Sequence, residues 1–305
     1  MNDWVTFHEK PAAGEIYMIA GWQQWADAGS VSSGLPQYLI THTGAHKIGE
    51  MSPDGFYVFQ IPGTHHWLRP EVHFEEGYSR QIKRRANDFY YVDLDGKGLV
   101  IFLGDEPHMN IERYAEGFFY AIKTLGVRRA AIIGGVYGAM PYDKDREISC
   151  TYSLRRMKGE LENYAVRFSN YQGGATIGSY LVDAAEAHEI ELFVFNAFVP
   201  AYDFSQNSSA IQGVRIEHDY KAWYELMRRF NYMFGLGIDL SELDRQSEEL
   251  IASIDSKIEE LERTLPQVNV RGYLEKLASN FTERPFMPLD DVWERELGDL
   301  FDEDD

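Results

Sequence analysis

The sequence predicts a three-layer α/β fold, in which helices cover both faces of a mainly parallel sheet, followed by a helical C-terminal extension. Over residues 1–212, short apolar strand patterns alternate with helical patterns, as in chains that form parallel sheets. Farther on, apolar residues recur every three or four positions, close to a coiled-coil seam. Residues 241–305 also hold 19 acidic and 7 basic residues, which supply −12 of the net charge of −20. We therefore predict an α/β domain over residues 1–212 and a helical extension with an acidic tail over residues 213–305.

The predicted strands are short apolar or aromatic runs, most of them bounded by Gly, Pro or Asp, as is typical of buried strands. They span residues 15–20, 56–61, 89–92, 99–103, 130–133 and 192–196. A further strand is expected around Cys150, in the stretch ISCTY. We interpret this single cysteine as a small buried residue rather than a nucleophile.

Helical spacing predicts two helices between these strands, over residues 110–125 and 176–187. Gly126 follows the first of them as a natural stop. A helix is also expected after the first strand, but Pro36 would kink it if it began at Ser30, so a later start is predicted. In the extension, a long helix should run from about residue 240 to Pro266, with shorter helices over residues 270–278 and 289–300.

The composition favours a globular cytoplasmic protein. Apolar residues make up 44% of the chain and charged residues 26%. No apolar run is long enough to span a bilayer, and the first residues do not resemble a signal peptide. The single cysteine excludes an internal disulfide framework and a CxxC motif. A net charge of −20 disfavours binding to nucleic acid or to anionic membranes.

Three loops at the carboxyl ends of predicted strands are the candidate ligand- or partner-binding sites, because ligands gather at that edge of an open parallel sheet. They are AGWQQWADAGS (residues 20–30), IIGGVYGAMPYDKDRE (132–147) and NYQGGATIGSYL (170–181). The third precedes a helix, whose first backbone N–H groups are suited to an anion. The candidate residues are Trp25, Asp27, Gly29, Ser30, Gly135, Tyr137, Pro141, Gly173, Gly174 and Thr176.

Each loop also has a purely structural interpretation. Glycines after a strand serve tight turns whether or not a ligand binds. Ser30 is a candidate helix cap, and Asp27 favours the positive end of a helix. We find no nucleotide-binding glycine motif and no GxSxG elbow, and His65, His66 and His73 fit no zinc pattern. Neither a cofactor nor a metal is therefore expected, and the residues alone do not name a reaction.

Four stretches in order resemble the PAC2 family, which is named after a proteasome assembly chaperone. GWQQWADAGS (residues 21–30) is similar to the opening of that family, and GDEPHMNIERYAEGFFYAIKTLGV (104–127) to its glycine-x-glutamate-proline segment and following helix. GGVYGAMP (134–141) resembles its glycine loop, and YQGGATIGSYLVDAAEAHEIELFVFNAFVPAY (171–202) its glycine–helix–strand segment. The helical extension resembles that of the longer bacterial members.

The resemblance implies a sandwich of the phosphorylase/hydrolase-like type. It also implies a non-catalytic binding protein of the assembly-chaperone type, with protein partners and self-association into homo-oligomers. Many bacterial members have a histidine after each of two prolines, whereas here Tyr142 follows Pro141 and Ala201 follows Pro200. This departure favours a protein that is not an enzyme. The alternative is a small-molecule binding protein or enzyme, hydrolase/phosphorylase-like or an ATP-dependent ligase, with a pocket at the strand ends.

Overall fold

One large mixed sheet dominates the computed structural model, which describes residues 4–60, 69–202, 214–264 and 269–287. The strands are β1 (Val5–Phe7), β2 (Glu15–Gln23), β3 (His46–Met51), β4 (Glu71–Glu75), β5 (Tyr78–Lys83), β6 (Asn87–Leu94), β7 (Lys97–Asp105), β8 (Val127–Gly138), β9 (Ile148–Tyr152), β10 (Arg167–Phe168), β11 (Leu192–Tyr202) and β12 (Val214–Arg215). The α-helices are α1 (Gly34–Thr43), α2 (Ile111–Thr124), α3 (Lys158–Leu161), α4 (Ile177–Ala187), α5 (Tyr220–Phe234), α6 (Ser241–Thr264) and α7 (Val270–Ser279).

The sheet is parallel at its centre and antiparallel towards its sides. Among the described residues, ten strands form it in the order β1-β3-β6-β7-β2-β8-β11-β9-β10, and β12 pairs with β11. The central strands β7, β2, β8 and β11 run parallel to one another. Their carboxyl ends therefore meet at one edge of the sheet, which we call the carboxyl edge.

Two hydrophobic cores cover the two faces of the sheet, because successive residues of a strand point to opposite sides. Ile19 of β2 lies in the core beneath α1, α5 and α6, whereas Met18 and Ala20 lie in the core beneath α2 and α4. All residues of β2 from Ile16 to Trp22 are buried, as expected of a central parallel strand. The predicted three-layer α/β class, with its mainly parallel sheet, is confirmed.

Most elements lie where the periodicity predicted them, with two kinds of difference. Residues 56–60, predicted as part of a strand, do not form one; Phe56 is fully buried in a turn, and its carbonyl oxygen accepts the N–H of His108 at 2.8 Å. The apolar character of Phe56 therefore reflects its burial rather than pairing in a strand. The structure also adds elements that the apolar runs did not indicate, namely the helices α3 and α5 and the strands β1, β3, β4, β5, β10 and β12. The predicted burial of Cys150 in a strand is confirmed, and burial raises the pKa of its thiol to about 12.

The C-terminal helices pack on the same core as the sheet. The predicted long helix is α6, whose buried residues include Leu243, Ile254 and Ile258, and these join the core that contains Ile19. The helix expected over residues 270–278 is α7. The helix expected over 289–300 lies outside the described residues, as does the boundary at residue 212, so the division into two domains remains a prediction.

A buried ion pair ties the α/β region to the first of these helices. Asp219 caps the N-terminus of α5, where its Oδ1 accepts the N–H of Ala222 at 3.1 Å. Arg146 donates to both of its carboxylate oxygens, at 2.8 and 3.2 Å, and both side chains are fully buried. Breaking such a pair leaves an uncompensated buried charge, so it fixes the position of α5 against the loop after β8.

Candidate functional site at the carboxyl edge

The loop after β2 folds around the carboxylate of Asp27. Its Oδ1 accepts the N–H groups of Ser32 at 2.8 Å and Ser33 at 3.0 Å, and its Oδ2 accepts the hydroxyl of Ser33 at 2.6 Å. Burial raises the pKa of Asp27, although these hydrogen bonds lower it in part. The carboxylate of Asp27 thus stabilises the segment that leads into α1. This position agrees with the expectation that Asp27 favours the positive end of a helix.

Ser30 does not cap this helix, and that part of the structural interpretation was wrong. The N-cap residue of α1 is Ser33, and α1 begins at Gly34, so the later start that Pro36 indicated is confirmed. Ser30 lies in the left-handed region, with φ of 48°. Its hydroxyl instead donates to the carbonyl oxygen of Glu217 at 2.9 Å. The side chain therefore joins the loop to the segment that leads into α5.

Gly29 is packed against the same segment. Its φ of +62° lies in the left-handed region that favours glycine, and an added Cβ would lie 2.7 Å from the Cβ of Asp219. Its carbonyl oxygen accepts the N–H of Asp219 at 2.9 Å and the indole N–H of Trp223 at 3.1 Å. The buried Gly29 is thus a contact between the first loop and α5.

The second loop meets the first through its backbone. The N–H of Gly135 donates to the carbonyl oxygen of Ala26 at 2.9 Å, and Asp27 and Gly135 form an isolated parallel bridge. A Cβ on Gly135 would lie 2.0 Å from the carbonyl oxygen of Ala28. This glycine is therefore required for the close approach of the two loops. Pro141, another predicted site residue, lies farther along the second loop and is buried.

Glu106, directly after β7, connects the first and third loops. Its Oε2 accepts the backbone N–H of Trp25 at 3.2 Å, and its Oε1 accepts the backbone N–H of Ile177 at 2.9 Å. Ile177 is the first residue of α4, so the carboxylate lies where the positive end of the helix dipole favours an anion. At this helix start, the N–H of Ile177 is therefore occupied by a side chain of the same protein.

Thr176 completes the start of α4 with a reciprocal pair of hydrogen bonds. The N–H of Ser179 donates to Thr176 Oγ1 at 3.2 Å, and the N–H of Thr176 donates to Ser179 Oγ at 2.8 Å. This capping box leaves the Thr176 N–H occupied. The preceding Gly173 and Gly174 are exposed, and a Cβ on Gly174 would lie 3.5 Å from the ring of Trp25. The third loop therefore contacts the first beside Trp25.

Three large aromatic side chains remain exposed at this edge. They are Trp25, Tyr137 and Tyr171, exposed by 73%, 49% and 67%, and we call them the edge aromatics. The guanidinium of Arg215 lies 5.7 Å from the centre of the Tyr137 ring. In contrast, Trp22 is fully buried and donates its indole N–H to the hydroxyl of Tyr114 at 2.7 Å, which confirms its predicted place in the core.

The three loops meet by backbone packing, and the two cavities found near them are not shared by all three. One cavity of about 300 Å³ lies between the N-terminal turns of α2 and α4, and Thr176 is the one predicted site residue that lines it. A second, also of about 300 Å³, lies between the loop after β8 and helices α6 and α7, and is lined by Pro141 and Tyr142. Neither of these two cavities is lined by residues of all three loops.

Tyr142 and Ala201, the residues that follow Pro141 and Pro200, both have partners within the chain. Tyr142 donates its hydroxyl to the carboxylate of Asp255 on α6, and burial and Asp255 together raise its pKa. Ala201 pairs with Arg215 across β11 and β12. Within the described ranges, no group of three or more His, Cys, Asp or Glu side chains is arranged to hold a metal ion. His65 and His66 lie outside those ranges.

The family follows from a match to a family model. The model described as the PAC2 family matches residues 21–258, well over half of the chain. The chain belongs to the PAC2 family. From residue 21 onward the match covers the three loops of the carboxyl edge, and it extends through α5 into α6. The comparison with curated proteins found no match for this PAC2 protein.

Solved structures share the fold of this PAC2 protein. A PAC2 family protein from Streptomyces avermitilis is similar with a TM-score of 0.68 and 20% identity, over 85% of this chain and 99% of that one. A proteasome-assembly chaperone homologue from Mycobacterium tuberculosis gives 0.66 and 20%, over 79% and 94%. PbaB from Pyrococcus furiosus, an archaeal proteasome activator, gives 0.57 and 18%, over 84% and 98%. At these identities the likeness establishes the fold.

Two residues that organise this edge were not among the predicted site residues. The sequence could have identified Glu106, since it follows a strand at the carboxyl edge and lies in a stretch that resembles the family. The sequence indicates Asp219 more weakly, because an acidic residue just before a helix is typical of an N-cap. No helix within the described part of this PAC2 protein combines the length and apolar character that a bilayer span requires.

Proposed function

We propose that this PAC2 protein is a non-catalytic binding protein of the assembly-chaperone type. It acts in the cytoplasm on protein partners through the carboxyl edge, and it self-associates. The observation that carries the proposal is Trp25, whose side chain is 73% exposed while its backbone is fixed by the carboxylate of Glu106. A large aromatic group on a rigid support binds a partner at a low cost in conformational entropy.

The other edge aromatics support the same function. Tyr137 stands at the end of the central strand β8. Tyr171 lies in the loop before α4, where its backbone N–H donates to Ser169 Oγ at 3.1 Å. Tyrosine, tryptophan and arginine are the residue types enriched in the centres of protein interfaces. Arg215, beside Tyr137, adds a cation at that position.

The relatives indicate which class of partner to test. One similar structure is a proteasome-assembly chaperone homologue, and another is an archaeal proteasome activator. We therefore propose that the partners are subunits of a multi-subunit protein complex of the proteasome type. A shared fold supports this choice of candidates, and the edge aromatics supply the surface.

A small-molecule site has less support from the geometry. An enzyme of the hydrolase/phosphorylase-like or ligase type needs polar groups that converge in one pocket. Here Glu106 and Thr176 direct their polar atoms to backbone and side-chain partners of the same chain. The carboxyl edge is therefore better suited to contact a partner surface than to enclose a substrate.

Affinity isolation with the full-length chain as bait tests the proposal. The wild-type protein should recover a protein at near-stoichiometric amounts. The triple variant Trp25→Ala, Tyr137→Ala, Tyr171→Ala should lose it, because removing interface anchors costs about 2 kcal/mol or more each. Quantitative mass spectrometry of the recovered proteins measures the loss.

A matched control separates this edge from other exposed aromatics. The double variant Tyr120→Ala, Tyr232→Ala removes two side chains that are 39% and 44% exposed on α2 and α5. It should retain the partner at the wild-type level. Recovery of no protein by the wild type, or equal recovery by the triple variant, would contradict the proposal.

A further inference from the structure

The chain that follows α7 is irregular, and one buried side chain anchors it. Residues 281–287 form neither helix nor strand, and of these seven described residues only Phe286 is buried, at 2% exposure. Its ring packs against the rings of Tyr164 and Tyr232, at centre-to-centre distances of 6.3 and 5.8 Å. We call residues 281–287 the strap. A segment with a single buried anchor belongs to the least stable part of a fold, which opens without global unfolding.

The anchor of the strap covers a buried cation that lacks one hydrogen bond. Arg229 of α5 is fully buried; its Nε donates to the carbonyl oxygen of Tyr164 at 2.9 Å, and its Nη1 donates to the carboxylate of Glu225 at 2.8 Å. Its Nη2 is buried without a hydrogen-bond partner in the described part of the chain. The guanidinium carbon lies 5.0 Å from the centre of the Phe286 ring, so the ring stands in place of water that would hydrate this group.

The unsatisfied nitrogen of Arg229 favours release of the strap. In the closed position the chain gains the burial of Phe286 and its cation–π contact, but the buried Nη2 lacks a partner. In the open position the ring is exposed to water, whereas water reaches Nη2 and supplies the missing hydrogen bond. The second effect opposes the first, so less free energy is needed to open the strap than the burial of one phenylalanine alone would require.

A second contact joins the strap to the carboxyl edge. Glu283 lies three residues before Phe286, and its Oε1 accepts the backbone N–H of Asp145 at 2.8 Å. Asp145 belongs to the loop after β8, and the next residue, Arg146, forms the buried ion pair with Asp219. The strap therefore reaches the second of the three loops at that edge through a hydrogen bond to the backbone of the loop.

We propose that the strap detaches as a unit and thereby couples the C-terminal end of the described chain to the second loop. When closed, it holds the N–H of Asp145; when open, it withdraws Glu283 and leaves that part of the loop free to move. The coupling is reciprocal, so a partner that binds the loosened loop favours the open strap. That effect on a partner rests on the proposed function, whereas the coupling itself does not.

Amide hydrogen exchange in the full-length protein, resolved at single residues, tests the strap. Phe286→Ala removes the anchor and should raise the exchange rate of the Asp145 N–H by about tenfold or more, because the released strap carries Glu283 away. In the wild type, low concentrations of urea should hardly change exchange at Asp145, since opening the strap exposes little surface. Exchange at the buried amides of β2 and β8 should rise steeply with urea, because it requires global unfolding.

Two further variants complete the test. Arg284→Ala removes an exposed side chain of the same strap and is the matched control, whose rate at Asp145 should stay within about twofold of the wild type. Phe286→Leu keeps an apolar anchor and should raise the rate by a smaller factor than alanine, so it serves if the alanine variant does not fold. Unchanged exchange at Asp145 in the Phe286 variants would overturn the proposal. A dependence on urea at Asp145 as steep as in β2 and β8 would overturn it too.

Discussion

The backbone N–H of Asp219 donates to the carbonyl oxygen of Gly29 at 2.9 Å. This hydrogen bond joins the loop after the first central strand to the N-cap of α5, far away in the sequence. The same Asp219 forms the buried ion pair with Arg146. The Asp-Ala-Gly-Ser corner is thus held by the C-terminal helical region rather than free to enclose a ligand.

Substitution of Gly29 by alanine should destabilise the protein strongly. The positive φ and the close approach to the Cβ of Asp219 each oppose a side chain, and together they should cost about 2–4 kcal/mol of unfolding free energy. Gly44→Ala is the matched control, because Gly44 has a φ of +69° but no atom within 4 Å of an added Cβ. Its loss should be only about 1 kcal/mol. Urea unfolding measures the stability lost in both variants. Equal losses would show that the close approach of Asp219 adds nothing to the cost of the positive φ at Gly29.

Neutralising Glu106 should loosen the first and third loops together. In Glu106→Gln, one side-chain oxygen is replaced by a donor, so one of the N–H groups of Trp25 and Ile177 loses its acceptor. We expect a loss of about 1–3 kcal/mol and faster hydrogen exchange at both of these N–H groups. Glu116→Gln on the exposed face of α2 should change stability by less than about 0.5 kcal/mol. Unchanged exchange at both N–H groups would show that Glu106 does not couple the loops.

The ion pair of Arg146 and Asp219 should behave as a coupled unit. Arg146→Met and Asp219→Asn should each cost about 3–5 kcal/mol, since each leaves one buried group without its partner. The double variant should lose clearly less than the sum of the two. Arg245→Met on α6, which breaks a pair whose side chains are 60% and 63% exposed, should cost less than about 1 kcal/mol. Additive losses in the first pair would argue against coupling.

Asp27 should make stability depend on pH in an unusual direction for a carboxylate. Because burial raises its pKa in the folded protein, folding favours its protonated form. That contribution is fully present below the unfolded pKa of about 3.9 and is lost as pH rises through the raised folded pKa. The stability of the wild type relative to Asp27→Asn should therefore be greatest at acid pH and decline towards neutrality. Urea titrations between acid and neutral pH test this, and a difference that grows towards neutral pH would contradict it.

The central strands and the helices α2, α4 and α6 could be predicted from periodicity because burial dictates their residue pattern. Strand β2 is a continuous apolar run, and α2 and α4 repeat apolar residues at helical spacing. Phe56 shows where that signal fails, since it is as buried as a strand residue but lies in a turn. The hairpin of β4 and β5 was not predicted for the opposite reason, because its alternation of apolar and polar residues is short and no residue in the described part of the chain buries it.

The carboxyl edge was predictable in position but not in its contacts. The glycines marked the loops after the strands, yet their partners depend on long-range packing. The atoms that approach Gly29 and Gly135 belong to Asp219 and to the carbonyl group of Ala28. Likewise, a sequence pattern identifies Thr176 as a cap but does not show that Glu106 occupies the first N–H of that helix.

Photo-crosslinking in cells tests most directly whether the carboxyl edge binds a protein. A photoreactive phenylalanine analogue replaces Trp25 or Tyr171, two of the exposed edge aromatics. In the control, the analogue replaces the exposed Tyr120 on α2. The account predicts covalent adducts with the same partner protein from positions 25 and 171, and none with that partner from position 120. An absence of adducts at positions 25 and 171, or equal adducts from all three, would contradict it.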